Sequence, residues 1–170
     1  LMDLACGDNR LVRTLGHGVG VDIRQYGSVD IVQKDFTHLP FSDRSIDTVT
    51  ILAAFNYFDH PVETLNEIRR ILAPDGTLII TFLNKKISGW WHKLRDRGLA
   101  RIAYSESELD HYLKQAQLQI VAKNHFMFGL NCVYVIGKQA PLNSKKDSTI
   151  SRTRPQKREE RFERTGSLTN

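Results

Sequence analysis

Asp3 and Asp22 each sit at or near the end of a short apolar run, with the segment ACGDNRLVRTLGHGVGV between them. A carboxylate at the tip of a strand accepts hydrogen bonds from vicinal hydroxyls or holds an ammonium group. The glycine-bearing loop after Asp3 lets backbone approach a ligand at a helix N-terminus. Residues 1–23 therefore read as a strand, a loop, a helix and a second strand that together build a nucleoside pocket. The loop reads D-x-A-C-G-x-N. It has neither the G-x-G-x-x-G spacing of dinucleotide binders nor the G-x-x-x-x-G-K-[ST] of phosphate binders.

Other reactive side chains form no diagnostic pattern. Cys6 and Cys132 match no zinc or redox spacing, and Cys6 reads as a small packed residue rather than a nucleophile. The six histidines are scattered without metal-ligand spacing, so no metal is expected. Tyr26, Tyr57, Asp59, His60 and His92 are available as proton-transfer helpers, but no pairing among them names a catalytic base. Asp35, just past a third apolar run, reads either as a ligand acceptor or as the head of an Asx-turn.

These groups need a scaffold, and the pattern supplies an α/β one. Strands are expected over 1–4, 19–23, 31–34, 47–52, 77–83, 120–126 and 133–138. A helix over 61–72 opens on Pro61, buries Val62, Leu65, Ile68 and Leu72, and stops at Pro74-Asp75-Gly76. Ser105 and Glu108 make a capping box ahead of a face of Leu109, Tyr112, Leu113 and Ala116. Between Asn84 and Tyr104 the pattern breaks into a basic, aromatic insertion. It carries Trp90, Trp91 and His92 with Lys85, Lys86, Lys93, Arg95, Arg97 and Arg101, against Asp96 alone. Three readings stand for it: a lid over the acceptor, a membrane-surface contact, or the apolar side of a packed helix.

Of the 170 residues, 41% are hydrophobic, enough for one domain with a real core. The net charge of +5 is uneven: residues 139–170 hold eight Lys or Arg against four acids, leaving only +1 on residues 1–138. We divide the chain into a folded domain over 1–138 and a disordered basic tail over 139–170. No apolar run is long enough to span a membrane, and no secretory signal is visible, so a cytoplasmic location is the default expectation.

Four patches, in order, resemble the class I S-adenosylmethionine-dependent methyltransferases: LMDLACGDNRL, GVDI, KDFTHLPFSDRSIDTV and LNEIRRILAPDGTLIIT. The resemblance runs from Leu1 to about Lys138. It implies a Rossmann-like α/β fold with a seven-stranded sheet of order 3-2-1-4-5-7-6, strand 7 antiparallel and helices on both faces. It also implies S-adenosyl-L-methionine as cofactor and a small-molecule acceptor. Asp3 would meet the methionyl amino end, while Ala5, Cys6 and Gly7 pass beneath it by backbone. Asp22 would accept the ribose hydroxyls and Ile23 would pack on the adenine. Asp35 and the Phe36 N–H would read the adenine edge, and Leu52 and Ala53 would line the methionine side.

The departures are Ala5 and Asn9 in place of loop glycines, of which Asn best tolerates a left-handed backbone. Asn56-Tyr57 stands where many relatives carry histidine, and the family's capping segment before the first strand has no counterpart, so the chain reads as a fragment or as an open pocket. The main alternative is a non-catalytic or truncated copy of the fold that serves as a binding or partner module. A nicotinamide oxidoreductase lacks its glycine fingerprint. Nucleic-acid modification is disfavoured by the nearly neutral core and the missing Asn/Asp-Pro-Pro-Tyr/Phe motif.

Overall fold

The structure is a computed structural model that describes residues 1–83, 104–129 and 131–138. Its elements are β1 (Met2–Leu4), α1 (Arg10–Leu15), β2 (Val19–Asp22), β3 (Ile31–Val32), β4 (Ile46–Leu52), a 3-10 turn (Phe55–Tyr57) and α2 (Pro61–Ile71). β5 (Leu72–Leu83), α3 (Glu106–Gln115), β6 (Leu118–Phe126) and β7 (Asn131–Lys138) complete it. The seven strands form one sheet in the order β3-β2-β1-β4-β5-β7-β6. β1 to β5 pair in parallel, and β7 runs antiparallel to both β5 and β6. This is the expected topology. The Trp90-Trp91-His92 insertion and the tail lie outside the described residues.

One face of the central strands is continuously apolar, while the alternate positions of the same strands carry Asp3, Gly20, Asp22, Thr50 and Thr81. Met2, Leu4, Val21, Val49, Ile51, Leu78 and Ile80 are all fully buried. α2 adds Leu65, Ile68 and Ile71, and α3 adds Leu109 and Leu113. The Ser105 capping box forms as expected: its N–H donates to the Glu108 carboxylate at 2.6 Å, and its Oγ accepts the Glu108 N–H at 3.3 Å. Among the described residues no helix is long and apolar enough to cross a membrane.

One boundary differs from expectation. α2 passes directly into β5 at Leu72, with no separating turn. Leu72 pairs with Ile46 and Thr77 with Thr48, so residues 73–76 stand opposite Asp47 alone and bulge out of the ladder. Pro74 and Gly76 thus punctuate the strand rather than precede it. A Cβ on Gly76 would stand 2.8 Å from Leu72 Cγ, so the bulge closes too tightly for a side chain.

The two longest motifs turn out to be one knot. Arg70 on α2 donates to the Leu39 and Phe41 carbonyls at 3.2 and 2.9 Å and to Asp43 at 2.6 Å. Glu67 accepts from Arg70 Nε at 2.8 Å and from the Leu39 N–H at 2.6 Å. The Arg70 carbonyl accepts the Arg44 N–H at 2.9 Å. An exposed loop that could otherwise drift is therefore fixed to a buried helix by a planar, five-donor group.

Replacing Arg70 by Lys keeps the charge but not the fork, and should cost roughly 1–3 kcal/mol in a denaturant titration. The Arg70 hydrogen bond holds the Glu67 carboxyl below the ordinary glutamate value of 4.5. Its stabilisation is therefore complete above that pH and is lost as the pH falls through the depressed value. The stability gap between the native chain and Glu67→Gln should narrow on acidification below about pH 4.5. A gap independent of pH would show that the pair does not act as an ion pair.

Candidate cofactor site

The loop leaving β1 is held by three backbone constraints. Cys6 N–H donates to Val21 O at 3.2 Å, and Asn9 N–H closes a turn onto Cys6 O at 3.0 Å. Gly7 N–H donates to Asp22 Oδ2 at 2.8 Å across 15 residues of chain. Ala5, Gly7 and Asn9 all take left-handed backbone, with φ of 58°, 57° and 59°. The turn survives the loss of two glycines. Asn9 does so at little cost, whereas Ala5 carries a strain of about 1–2 kcal/mol. Ala53, leaving β4, is left-handed as well, at φ 54°, and its N–H donates to both the carbonyl and Oγ1 of Thr81 at 3.0 Å.

Two carboxylates lie at the bottom of this loop. Asp3 is 3% exposed and Asp22 is 5% exposed. Thr50 Oγ1 donates to Asp3 Oδ1 at 2.6 Å, and Asp22 Oδ1 accepts the Arg24 N–H at 3.2 Å. Burial raises the Asp3 pKa, the Thr50 hydroxyl opposes that shift, and the negative charge of Asp22 adds to it. Neither acid forms an ion pair with a described residue. Burial and the same two acids push the Cys6 thiol up to about 12, which makes it inert as a nucleophile. The result is an electronegative, buried pair of acids whose chemistry suits a ligand that brings positive charge and hydroxyl donors.

The remaining expected positions divide. Ile23 and Leu52 follow or end strands β2 and β4 and are 45% and 40% exposed, unusual for aliphatic side chains next to a core. Ala53 is exposed beside Leu52. Phe36 is buried and packs edge-on against Phe58, ring centroids 5.3 Å apart. The exposed Asp35 folds back on its own loop: Oδ1 accepts from the Thr37 N–H at 2.8 Å and from its hydroxyl at 2.7 Å. Its Oδ2 lies 3.2 Å from His38 Nδ1. This is the Asx-turn alternative, and the Thr37 bonds chiefly hold the carboxyl down at about 2. Asp3 and Asp22 are brought together; the Asp35 carboxylate is occupied locally. Of the possible proton-transfer helpers, Tyr26, Tyr57, Asp59 and His60 are exposed, and His92 lies outside the described residues.

Two side chains have supporting contacts that no sequence signal marks. Thr50 is one of several apolar-strand threonines, and only the register Asp3↔Thr50 marks it. Asn9 is the other. Its Nδ2 donates to Ser28 O at 2.7 Å and to Asp30 Oδ2 at 2.9 Å, and Gly20 N–H donates to the same Asp30 oxygen at 2.7 Å. A Cβ on Gly20 would fall 2.0 Å from Asn9 Oδ1, so the strand residue must be glycine because the loop residue is asparagine.

Known proteins resemble this chain in sequence and in fold. Residues 2–80 match the model of a methyltransferase domain family. The ubiquinone/menaquinone biosynthesis C-methyltransferase UbiE of Pseudomonas fluorescens is 24% identical over 145 residues, covering 68% of this chain and 57% of that protein. The chain thus spans little more than half the length of that relative. A Thermotoga maritima structure described as an S-adenosylmethionine-dependent methyltransferase and possible histamine N-methyltransferase superposes with a TM-score of 0.67. It is 18% identical, with 81% of each chain covered. A methyltransferase in complex with the Haloferax volcanii Trm112 methyltransferase activator gives a TM-score of 0.67 at 20% identity, with 82% of each chain covered. At these identities the structural matches bear on the fold.

The Asn9–Gly20 contact can be tested directly. Gly20→Ala should lower stability by roughly 1–3 kcal/mol, because the new methyl meets a hydrogen-bonded, buried amide. In an Asn9→Gly background the same substitution should cost much less. Equal costs in the two backgrounds, measured by chemical denaturation, would show that the two residues do not compete for the space.

Proposed function

We propose that this chain is a class I S-adenosylmethionine-dependent methyltransferase, that its β1–β4 edge binds S-adenosyl-L-methionine, and that it transfers a methyl group to a small-molecule acceptor. The observation that carries this reading is the pair of buried, mutually repelling acids, Asp3 and Asp22, without a described cationic partner. Asp22 accepts one N–H on each oxygen, which leaves lone pairs for two ribose hydroxyls. Asp3, fixed by Thr50, offers its second oxygen to an ammonium group. Ile23 and Leu52 supply apolar surface for a flat ring and a thioether chain. Phosphate would be repelled here, in keeping with a nucleoside that has none.

When bound, the cofactor supplies an electrophilic methyl group on a good leaving sulfur. What this chain's residues then contribute is alignment and exclusion of water rather than acid or base chemistry. Asp35, tied into its Asx-turn, would act mainly by shaping the loop that presents the Phe36 backbone. The likeness to C-methyltransferases of ubiquinone and menaquinone biosynthesis makes a carbon acceptor of that chemistry the first to screen. The alternative of a degenerate, non-binding copy is weakened by the loop, which keeps its left-handed turn despite Ala5 and Asn9.

Isothermal titration of the purified chain with S-adenosylmethionine and S-adenosylhomocysteine tests the reading. Both should bind. Asp22→Ala should weaken binding at least tenfold, about the value of one charged hydrogen bond, with thermal unfolding followed in parallel to separate loss of the site from loss of the fold. Asp35→Ala should cost less than Asp22→Ala. No heat of binding in the folded native chain would overturn the assignment.

A further inference from the structure

Away from the proposed cofactor site, three ligand-type side chains from three different elements converge. Glu106 opens α3, His125 lies near the end of β6, and Cys132 is the second residue of β7. His125 and Cys132 are direct partners across the β6–β7 ladder, and Cys132 also pairs with Phe82, next to the last residue of β5. The cluster therefore sits toward the carboxyl end of the parallel strands, beyond β5. All three ligand atoms lie within 4.8 Å of one another. Glu106 Oε1 is 3.1 Å from His125 Nε2 and 3.9 Å from Cys132 Sγ.

Those spacings match what a tetrahedral cation of zinc type demands. With metal–oxygen and metal–nitrogen bonds of about 2.0 Å and a metal–sulfur bond of about 2.3 Å, neighbouring ligand atoms stand about 3.3–3.6 Å apart. Closing the present triangle needs changes in ligand spacing from a few tenths of an ångström up to roughly 1.5 Å, within reach of side-chain rotation. The two carboxylate oxygens of Glu106 are also divided in their duties. Oε1 faces the imidazole and the thiol, whereas Oε2 accepts the Tyr134 hydroxyl at 3.0 Å and lies 3.3 Å from Lys123 Nζ. Tyr134 and Lys123 thereby orient the carboxylate, the task that outer partners perform at metal sites. Chemically the set is an oxygen, an imidazole nitrogen and a sulfur, which favours a borderline cation over calcium or magnesium.

We propose that Glu106, His125 and Cys132 form a binding site for a single zinc-class divalent cation, with a fourth position open to solvent or an exogenous ligand. Cys132 is fully buried while the His125 side chain is 41% exposed, so the open position is on the imidazole side. On binding, Cys132 loses its proton to solvent, and the metal–sulfur bond replaces the sulfur–hydrogen bond without any redox change. The site clamps the start of α3 to the β6–β7 hairpin. Without metal, the same residues form a hydrogen-bonded network around Glu106. This proposal is independent of the methyl-transfer reading, since it uses none of the cofactor-site residues.

Cobalt(II) titration of the chain, stripped with chelator and reduced, gives a readout separate from activity. A thiolate-to-cobalt charge-transfer absorption should rise and saturate at one equivalent. It should persist in Cys6→Ser and vanish in Cys132→Ser. Because Cys132 is buried and its replacement could disturb folding, the surface variant His125→Ala provides a second test. It should weaken zinc binding, measured by competition with a chromogenic chelator, at least tenfold. No thiolate band at stoichiometric cobalt, a band that follows Cys6 instead, or zinc affinity unchanged in His125→Ala would each overturn the site.

Discussion

The hydrogen bond from the Gly7 N–H to the Asp22 carboxylate, 2.8 Å long, is the constraint on which the cofactor half of the molecule rests. It joins the loop leaving β1 to the tip of β2, the two ends that make up the proposed site. A carboxylate 5% exposed is costly to desolvate, and a backbone donor aimed at it offsets part of that cost. The same bond fixes which way the acid points. Asp3, one strand over, is held by the Thr50 hydroxyl, and its burial raises its pKa despite that bond. The two acids thus differ in kind: Asp22 is a locked acceptor, and Asp3 a strained charge that a cationic ligand would relieve.

Backbone strain follows the same geography. Ala5 and Ala53 each hold a left-handed conformation that costs an alanine about 1–2 kcal/mol, and they leave the adjacent strands β1 and β4. Each is pinned by its surroundings. Cys6 N–H anchors the first on Val21, and the doubled bond to Thr81 anchors the second. Leu52 and Ile23 are exposed close to them in the chain or at the neighbouring strand end. A larger non-glycine side chain at either position would stay strained.

Much of this was legible in the sequence because it depends on local pattern. Apolar runs at α/β spacing, Pro61 at a helix start and Ser105 with Glu108 each dictate their structure over a few residues. So does the left-handed tolerance of Asn9, which the structure bears out. What was not legible depends on register between distant segments. Gly20 looks like an ordinary strand glycine until Asn9 is seen to occupy its missing side chain. The bulge at residues 73–76 reads as a helix stop, because Pro and Gly signal a break but not which ladder is broken. Asp35 could be read two ways from sequence, and only the Thr37 contacts show its carboxylate engaged within its own loop. Glu106, His125 and Cys132 are 19 and 7 residues apart, a spacing with no meaning until α3, β6 and β7 are folded together.

The two halves of the sheet solve the problem of order differently. On the β1–β4 side, precision comes from backbone: left-handed turns, N–H donors and strand register place a few side chains that have little freedom left. On the β5–β7 side it comes from side chains, with Glu106 tied to Tyr134, Lys123 and His125, and Phe82 packed on Tyr134 with ring centroids 5.4 Å apart. Between them runs α2, whose Arg70 and Glu67 hold the 39–44 stretch, downstream of Phe36, to the core. A backbone-built site changes little with sequence, since most substitutions leave N–H groups where they were. A side-chain-built region can be rewritten one residue at a time. That difference is why a short motif marks the β1–β4 end, whereas the β5–β7 cluster has no local sequence signature.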